Sequence, residues 1–257
     1  MIRHGTLKKD VRNRLTLTMG CALVLGGTWG CAQRTVKVRQ YGEMHKVLSG
    51  GAAAAKANVT LSEAMKAPHA YGVGALPGLE GEITVFDGQA YIARSHAGGV
   101  RIDGPATRPT DSASMLTVAH VDKWNVFKTD KALDQQALEN FIAACARMDG
   151  LDMNKPFPFV LAGQVTDLQT HVIHGACPMR PGVKLAAHEQ PWRYESDRPM
   201  EAKIVGFYAA DAVGRLTHPG TSIHAHALFD YHGVTATAHV ERVAVGPGTT
   251  LMLPATN

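Results

Sequence analysis

The stretch TSIHAHALFDYHGVTATAHVERV, residues 221–243, carries the strongest structural signal in the chain. Thr221–Phe229 alternates between residues suited to the two faces of a strand, and Thr235–Val243 does the same. Asp230-Tyr231-His232-Gly233 between them has turn composition, so the segment reads as an antiparallel hairpin. A turn centred on Tyr231 and His232 places His224 opposite His239. Residues two apart on a strand share a face, which adds His226 to that pair. Opposed Cβ atoms lie about 5 Å apart and diagonal ones about 7–8 Å, a spacing that lets three imidazoles converge on one cation. Zinc sites that do chemistry commonly use three protein ligands and keep one position open. The competing reading is three histidines on a solvated hairpin face. Glu241 shares the face of His239 and reads as a rim carboxylate, with a fourth ligand or an acid/base group as the alternative. His232 belongs to the turn, and His171 and His174 do not share a strand face.

Outward from the hairpin, the chain reads as α+β and mostly β: two packed β-rich subdomains with a few helices. An N-terminal part covers about residues 36–150, and a metal-binding part covers about 151–257. Thr60-Leu61-Ser62-Glu63 is a capping box for a short helix that Pro68 ends. Runs at Tyr71–Leu76, Gly81–Phe86 and Gln89–Arg94 read as strands, the last two joined by Asp87-Gly88, a strong hairpin turn. Leu138, Phe141, Ile142 and Cys145 repeat at helical spacing and predict a helix over Asp130–Met148, capped by Thr129 or Asp130. Phe157–Val165 and Leu168–Ile173 read as two further strands and Met200–Tyr208 as another. The expected loops are Gly50–Ala57, Gly104–Ser112 and Ala176–Trp192.

The 257 residues have 45% apolar content, as globular chains do. Met1–Arg14 carries Arg3, Lys8, Lys9, Arg12 and Arg14 against Asp10, an apolar run spans Leu15–Leu25, and small residues precede Cys31. This is the layout of a signal peptide over residues 1–30, with Thr28-Trp29-Gly30-Cys31 similar to a lipoprotein cleavage box. The expectation is export to the cell envelope with lipid attachment at Cys31 and membrane anchoring through it, or otherwise a periplasmic or secreted protein. The leader takes five of the 26 basic residues and one of the 22 acidic ones, leaving 21 of each. A formally neutral remainder argues against nucleic acid as a partner. The expected partner is a small-molecule substrate, with a homo-oligomer left open. Of four cysteines, Cys21 lies in the leader and Cys31 is the lipid candidate. Cys145 and Cys177 remain, either as a disulfide or as a buried thiol and an unrelated loop cysteine.

Two stretches resemble the alpha-acetolactate decarboxylase family. In Val59–Arg94, Tyr71-Gly72-Val73-Gly74-Ala75, Leu79-Glu80-Gly81-Glu82 and Asp87-Gly88-Gln89-Ala90-Tyr91 follow the family's order and spacing. In Ala202–Val240, Ile204-Val205-Gly206-Phe207 precedes His218-Pro219-Gly220 and the histidines. The resemblance implies a two-part β-rich α+β fold and a divalent metal, zinc before others, held by His224, His226 and His239. It implies an essential carboxylate at Glu82 and conversion of 2-acetolactate to acetoin and carbon dioxide.

The sequence departs from the family in several places. Ala75 stands where the family has threonine, Val160 where it has the active-site arginine, and His171 at a second arginine. The family's additional C-terminal acidic residue has no counterpart before Asn257. Candidates to replace the arginine are His171, Arg94, Arg101 and Arg193. The alternatives to a metal-dependent carboxy-lyase are a non-catalytic metal- or small-ligand-binding lipoprotein of the envelope, and a metal-dependent hydrolase or isomerase of another oxygen-rich small molecule.

Overall fold

The computed structural model describes residues 35–96, 99–179, 182 and 184–255; the leader and Cys31 lie outside them. The first sheet contains β1 (Val38–Tyr41), β3 (Ala70–Ala75), β4 (Gly81–Phe86), β5 (Gln89–His96), β6 (Gly99–Ala106) and β8 (Met115–His120), in the order β1-β8-β3-β4-β5-β6. Two short strands, β2 (Val59–Thr60) and β7 (Ser112–Ala113), pair beside it. The second sheet uses β9 (Trp124–Lys128), β10 (Phe157–Val172), β12 (Met200–Tyr208), β13 (Ile223–Tyr231), β14 (Val234–Val245) and β15 (Thr250–Pro254), with β11 (Trp192–Ser196) added to the end of β10. The helices are α1 (Met44–Ser49), α2 (Gly51–Ala54), α3 (Leu61–Ala64) and α4 (Gln135–Met148). The α+β, mainly β architecture agrees with the sequence.

β10 organises the second sheet. Its first part, Phe157–Val165, pairs with β12 and its last part, Val165–His171, pairs with β14. The strands β12, β13, β14 and β10 therefore close on themselves. One face of this ring contributes Phe157, Phe159, Leu161, Ile204, Ala225 and Ala238 to a core cluster that also takes Leu138 and Ile142 of α4. The alanines at alternate positions of β13 and β14 are small enough for the strands to close tightly. The opposite face packs on the first sheet, where Val160, Val205 and Phe207 meet Tyr71, Val73 and Ala119.

Several boundaries differ from the sequence reading. The change of sheet falls between His120 and Trp124, earlier than residue 150, because β9 pairs with β15 and α4 packs on β14. α4 starts at Gln135, where the Asp134 side chain caps the Ala137 N–H at 2.8 Å, and neither Thr129 nor Asp130 is the cap. The two strands expected within 157–173 are one, with irregular pairing at Val165/Asp167 and Gln169/Thr170. Gly51–Ala54 is helical, and β6 runs into the segment expected to be a loop from Gly104. Cys145 sits in the α4 core and Cys177 in a separate cluster with Met44 and Leu48, with no bond joining them.

The hairpin register also differs. His226, rather than His224, lies opposite His239, and Tyr231 pairs with Val234 across the two-residue turn His232-Gly233. Both turn residues have positive φ, 53° and 84°, so the strands continue to Tyr231 and Val234. The shift is even, so each side chain keeps its face.

Candidate metal centre

His224 and His226 on β13 and His239 on β14 project from the face of the ring that packs on the first sheet. Their ring centroids are 5.4 Å (His224–His226), 5.1 Å (His224–His239) and 5.4 Å (His226–His239) apart. All three are buried, and one ring nitrogen from each lies within 4.8 Å of the others. This is the trio that the sequence pattern brought together.

Two more imidazoles complete the cluster. β10 runs beside β14 with His171 opposite His239, the rings 4.8 Å apart. His218, in the turn before β13, lies 5.2 Å from His239 and 6.3 Å from His224. Sequence reasoning passed over His218 as a ligand-site residue; His218-Pro219-Gly220 just ahead of the hairpin was the available signal.

The first sheet supplies the acid. Glu82 on β4 is 3% exposed and accepts the Ile173 N–H at 3.2 Å. Its two carboxyl oxygens lie 3.6 Å from His226 Nε2 and 3.9 Å from His171 Nε2. Ala75, at the family's threonine position, is directly opposite Glu82 on β3. Thr84, two residues along the same face, places Oγ1 3.2 Å from His226 Nδ1 and 2.5 Å from Thr237 Oγ1. Thr84 thus engages one nitrogen of His226 and leaves Nε2 toward Glu82.

Burial sets the charge states. Desolvation pushes the Glu82 carboxyl up to about 8, only partly offset by the Ile173 N–H. It also lowers all five imidazoles, His218 to about 4 and His226 to about 3, with neighbouring histidines adding to the shift of every ring except His171, where Arg193 does so. At neutral pH the histidines therefore present lone pairs and Glu82 carries its proton. Among the described residues, His226 Nε2 and His224 Nδ1 are buried nitrogens with no hydrogen-bond partner. Buried polar groups left unsatisfied are costly, and a cation fits their chemistry: three neutral imidazoles are a donor set suited to zinc, copper, iron or nickel.

Glu241 has a definite place. Burial alone would raise its carboxyl. The hydrogen bonds from His171 and Arg193 and the charge of Arg193 outweigh burial and hold it below the usual range. His171 Nδ1 donates to Glu241 Oε1 at 2.7 Å, and Arg193 Nη1 donates to the same oxygen at 2.5 Å. Of the candidates to replace the family arginine, His171 therefore enters the site and Arg193 stands behind it. Arg94 is tied to Asp103 and Asp111, and Arg101 to Asp103. Val160 is fully buried in the apolar contact between the sheets. A cavity of about 190 Å³ reaches His239, bordered by His218, Glu241, Gln135 and Met179.

The family profile described as alpha-acetolactate decarboxylase matches residues 39–255. The chain belongs to that family. Family and fold together support a decarboxylase-like, lyase-class function at a coarse level. The fold is that of the alpha-acetolactate decarboxylase of Bacillus subtilis strain 168, with a TM-score of 0.64 and 21% identity over 86% of each chain. The acetolactate decarboxylase of Bacillus subtilis subspecies spizizenii gives 0.62 and 19%, over 86% of this chain and 87% of that one. A Staphylococcus aureus protein of unknown function, described as similar to alpha-acetolactate decarboxylase, gives 0.58 and 16% over 85% of each. A sequence search of curated proteins finds no significant match.

Proposed function

We propose that the protein is a metal-dependent decarboxylase that converts 2-acetolactate to acetoin and carbon dioxide. The observation that carries this reading is the buried carboxyl of Glu82, from one sheet, within 3.6 Å of the histidine cluster of the other. His224, His226 and His239 would hold a divalent cation, zinc before others. When bound, the ion supplies Lewis acidity toward the oxygens of an α-hydroxy ketone.

The chain's own groups account for the remaining chemistry. Breaking the bond between the carboxylate and carbon 2 releases carbon dioxide and leaves an electron pair that the neighbouring carbonyl takes up as an enediolate. Glu82, protonated in its buried position, gives its proton to that carbon. Such a general acid contributes about 10²–10⁴-fold. With an ion held by His224, His226 and His239, the carboxylate form of Glu82 would be favoured and release of that proton eased. Glu241 orients His171, whose Nε2 then faces Glu82.

The reading is tested by loading the purified protein with zinc to one ion per chain and assaying acetoin from racemic acetolactate. Acetoin formation that disappears in Glu82→Gln supports it; a fully loaded protein that forms none refutes it. A second reading, a binding protein without catalysis, is favoured by Val160 at the position of the family arginine, since a planar guanidinium is the usual bidentate partner of a carboxylate. It predicts acetolactate binding without turnover in the same experiment. We further propose export and lipid attachment at Cys31, supported by the basic and apolar leader. Labelled fatty acid should enter the wild-type chain and not Cys31→Ser.

A further inference from the structure

Beside the cavity over His239 lies a second one of about 450 Å³. Met44 and Leu48 of α1 line it together with Cys177, Met179 and Val213. The two cavities adjoin at Met179, His218 and Pro219, which border both. His218 is the junction, with its ring 5.2 Å from His239. A molecule anchored at the histidines therefore needs to extend only past His218 to enter the larger space.

The chemistry of the two spaces is different. The smaller one presents His239, Glu241 and Gln135, groups suited to the oxygens of a hydroxy-oxo acid, and its 190 Å³ is on the scale of a five-carbon acid. The larger one is mostly apolar in its wall, and its volume falls within the range of about 300–1,000 Å³ usual for small-molecule sites. Thr217 borders it, is fully buried, and has a hydroxyl with no hydrogen-bond partner among the described residues. An apolar chamber with a few polar groups at its margin, opening beside a candidate metal centre, is the form of a side-chain subsite.

We propose that this chamber receives an apolar substituent of the substrate. The substrate class then extends beyond 2-acetolactate to 2-hydroxy-3-oxo acids carrying an alkyl or aryl group longer than methyl. This rests on the reading of the histidine cluster as the site that binds the acid. His218 and Pro219 divide the ligand, with oxygens on the His239 side and hydrocarbon on the Met44 side.

The test uses zinc-loaded protein and unreactive 2,3-dihydroxy acids whose apolar end grows from methyl to butyl, with binding measured by calorimetry. Burying each added methylene is expected to tighten Kd by about fourfold. Val213→Trp, at a position 53% exposed and so tolerant of substitution, and Leu48→Trp should each abolish that gain and leave the methyl compound's Kd within about twofold. A methyl compound that binds with no gain along the series overturns the subsite and leaves the histidine site standing. A gain that survives both tryptophan variants also overturns it, by placing the hydrocarbon elsewhere. Failure of every member to bind a fully metal-loaded protein overturns the histidine reading itself. In the matching 2-hydroxy-3-oxo acids, kcat/KM should rise in the same order.

Discussion

The hairpins β4–β5 and β13–β14 are built alike and carry opposite chemistry. Each closes on a two-residue turn with both residues at positive φ, Asp87 (48°) and Gly88 (73°) in one, His232 (53°) and Gly233 (84°) in the other. Each turns one face of its strands toward the contact between the sheets. There β4 presents Glu82 and Thr84, while β13 and β14 present His224, His226 and His239. The same burial acts on both sides and removes charge from both, raising the acid and lowering the bases. Acid and imidazoles can therefore share one buried layer without an uncompensated ion. That neutrality makes the layer receptive, because a cation finds lone pairs on one side and an ionisable carboxyl on the other.

The comparison can be broken most completely from the imidazole side. His226→Ala removes one of the three candidate ligands, and its metal affinity should fall by more than the 10–100-fold typical of changes to outer-shell partners. Metal content after dialysis measures this, and turnover should vanish with the ion. On the acid side, Glu82→Gln keeps the shape and loses the transferable proton. Turnover should fall by about 10²–10⁴-fold while metal content stays at the wild-type level. If the two variants lose metal equally, the division of labour between the hairpins is wrong.

The metal-free protein sharpens the contrast through pH. The histidines have native pKa values below 6.5, so the unfolded chain takes up more protons once the pH drops beneath that value. Their stabilising contribution is complete above 6.5 and is lost as pH falls toward the values of His218, about 4, and His226, about 3. Glu82 runs the other way. Its native pKa is raised, so its contribution is complete below 4.5 and is lost as pH rises through about 8. Denaturant titrations should show stability of the metal-free protein falling on both sides of a near-neutral optimum, with the fall toward pH 8 reduced in Glu82→Gln. The smallest effect concerns what the hairpins share. An added Cβ meets no atom at Gly88 or Gly233, so Gly88→Ala and Gly233→Ala should each cost only the left-handed strain, about 1–2 kcal/mol in unfolding free energy.

The residues legible in the sequence were those whose relationships are local. His224, His226 and His239 belong to one hairpin, and strand parity alone puts them on one face. An error of register at Tyr231 left that conclusion intact because it amounted to an even number of residues. The helix cap at Thr60 was visible for the same reason: its hydrogen bond from the Glu63 N–H spans three residues. The burial of Glu82 was not visible, since it depends on the second sheet covering β4. His171 enters the site only because β10 pairs with β14 across irregularities that no spacing rule anticipates. The 16-residue length of β10 was hidden by Thr166 and Asp167, polar residues that read as a break. Val160 illustrates the converse: its strand was read correctly, and only packing reveals that the position belongs to the apolar contact between the sheets.

The contact between Thr84 and His226 joins residues 142 apart in the chain, which has a consequence for biosynthesis. A growing polypeptide passes the acid long before the imidazoles, so through that interval it holds half a receptor. Capture of an ion by all three rings must await emergence of His239. The first sheet has to remain open, or reopen, until the last strands arrive to cover it.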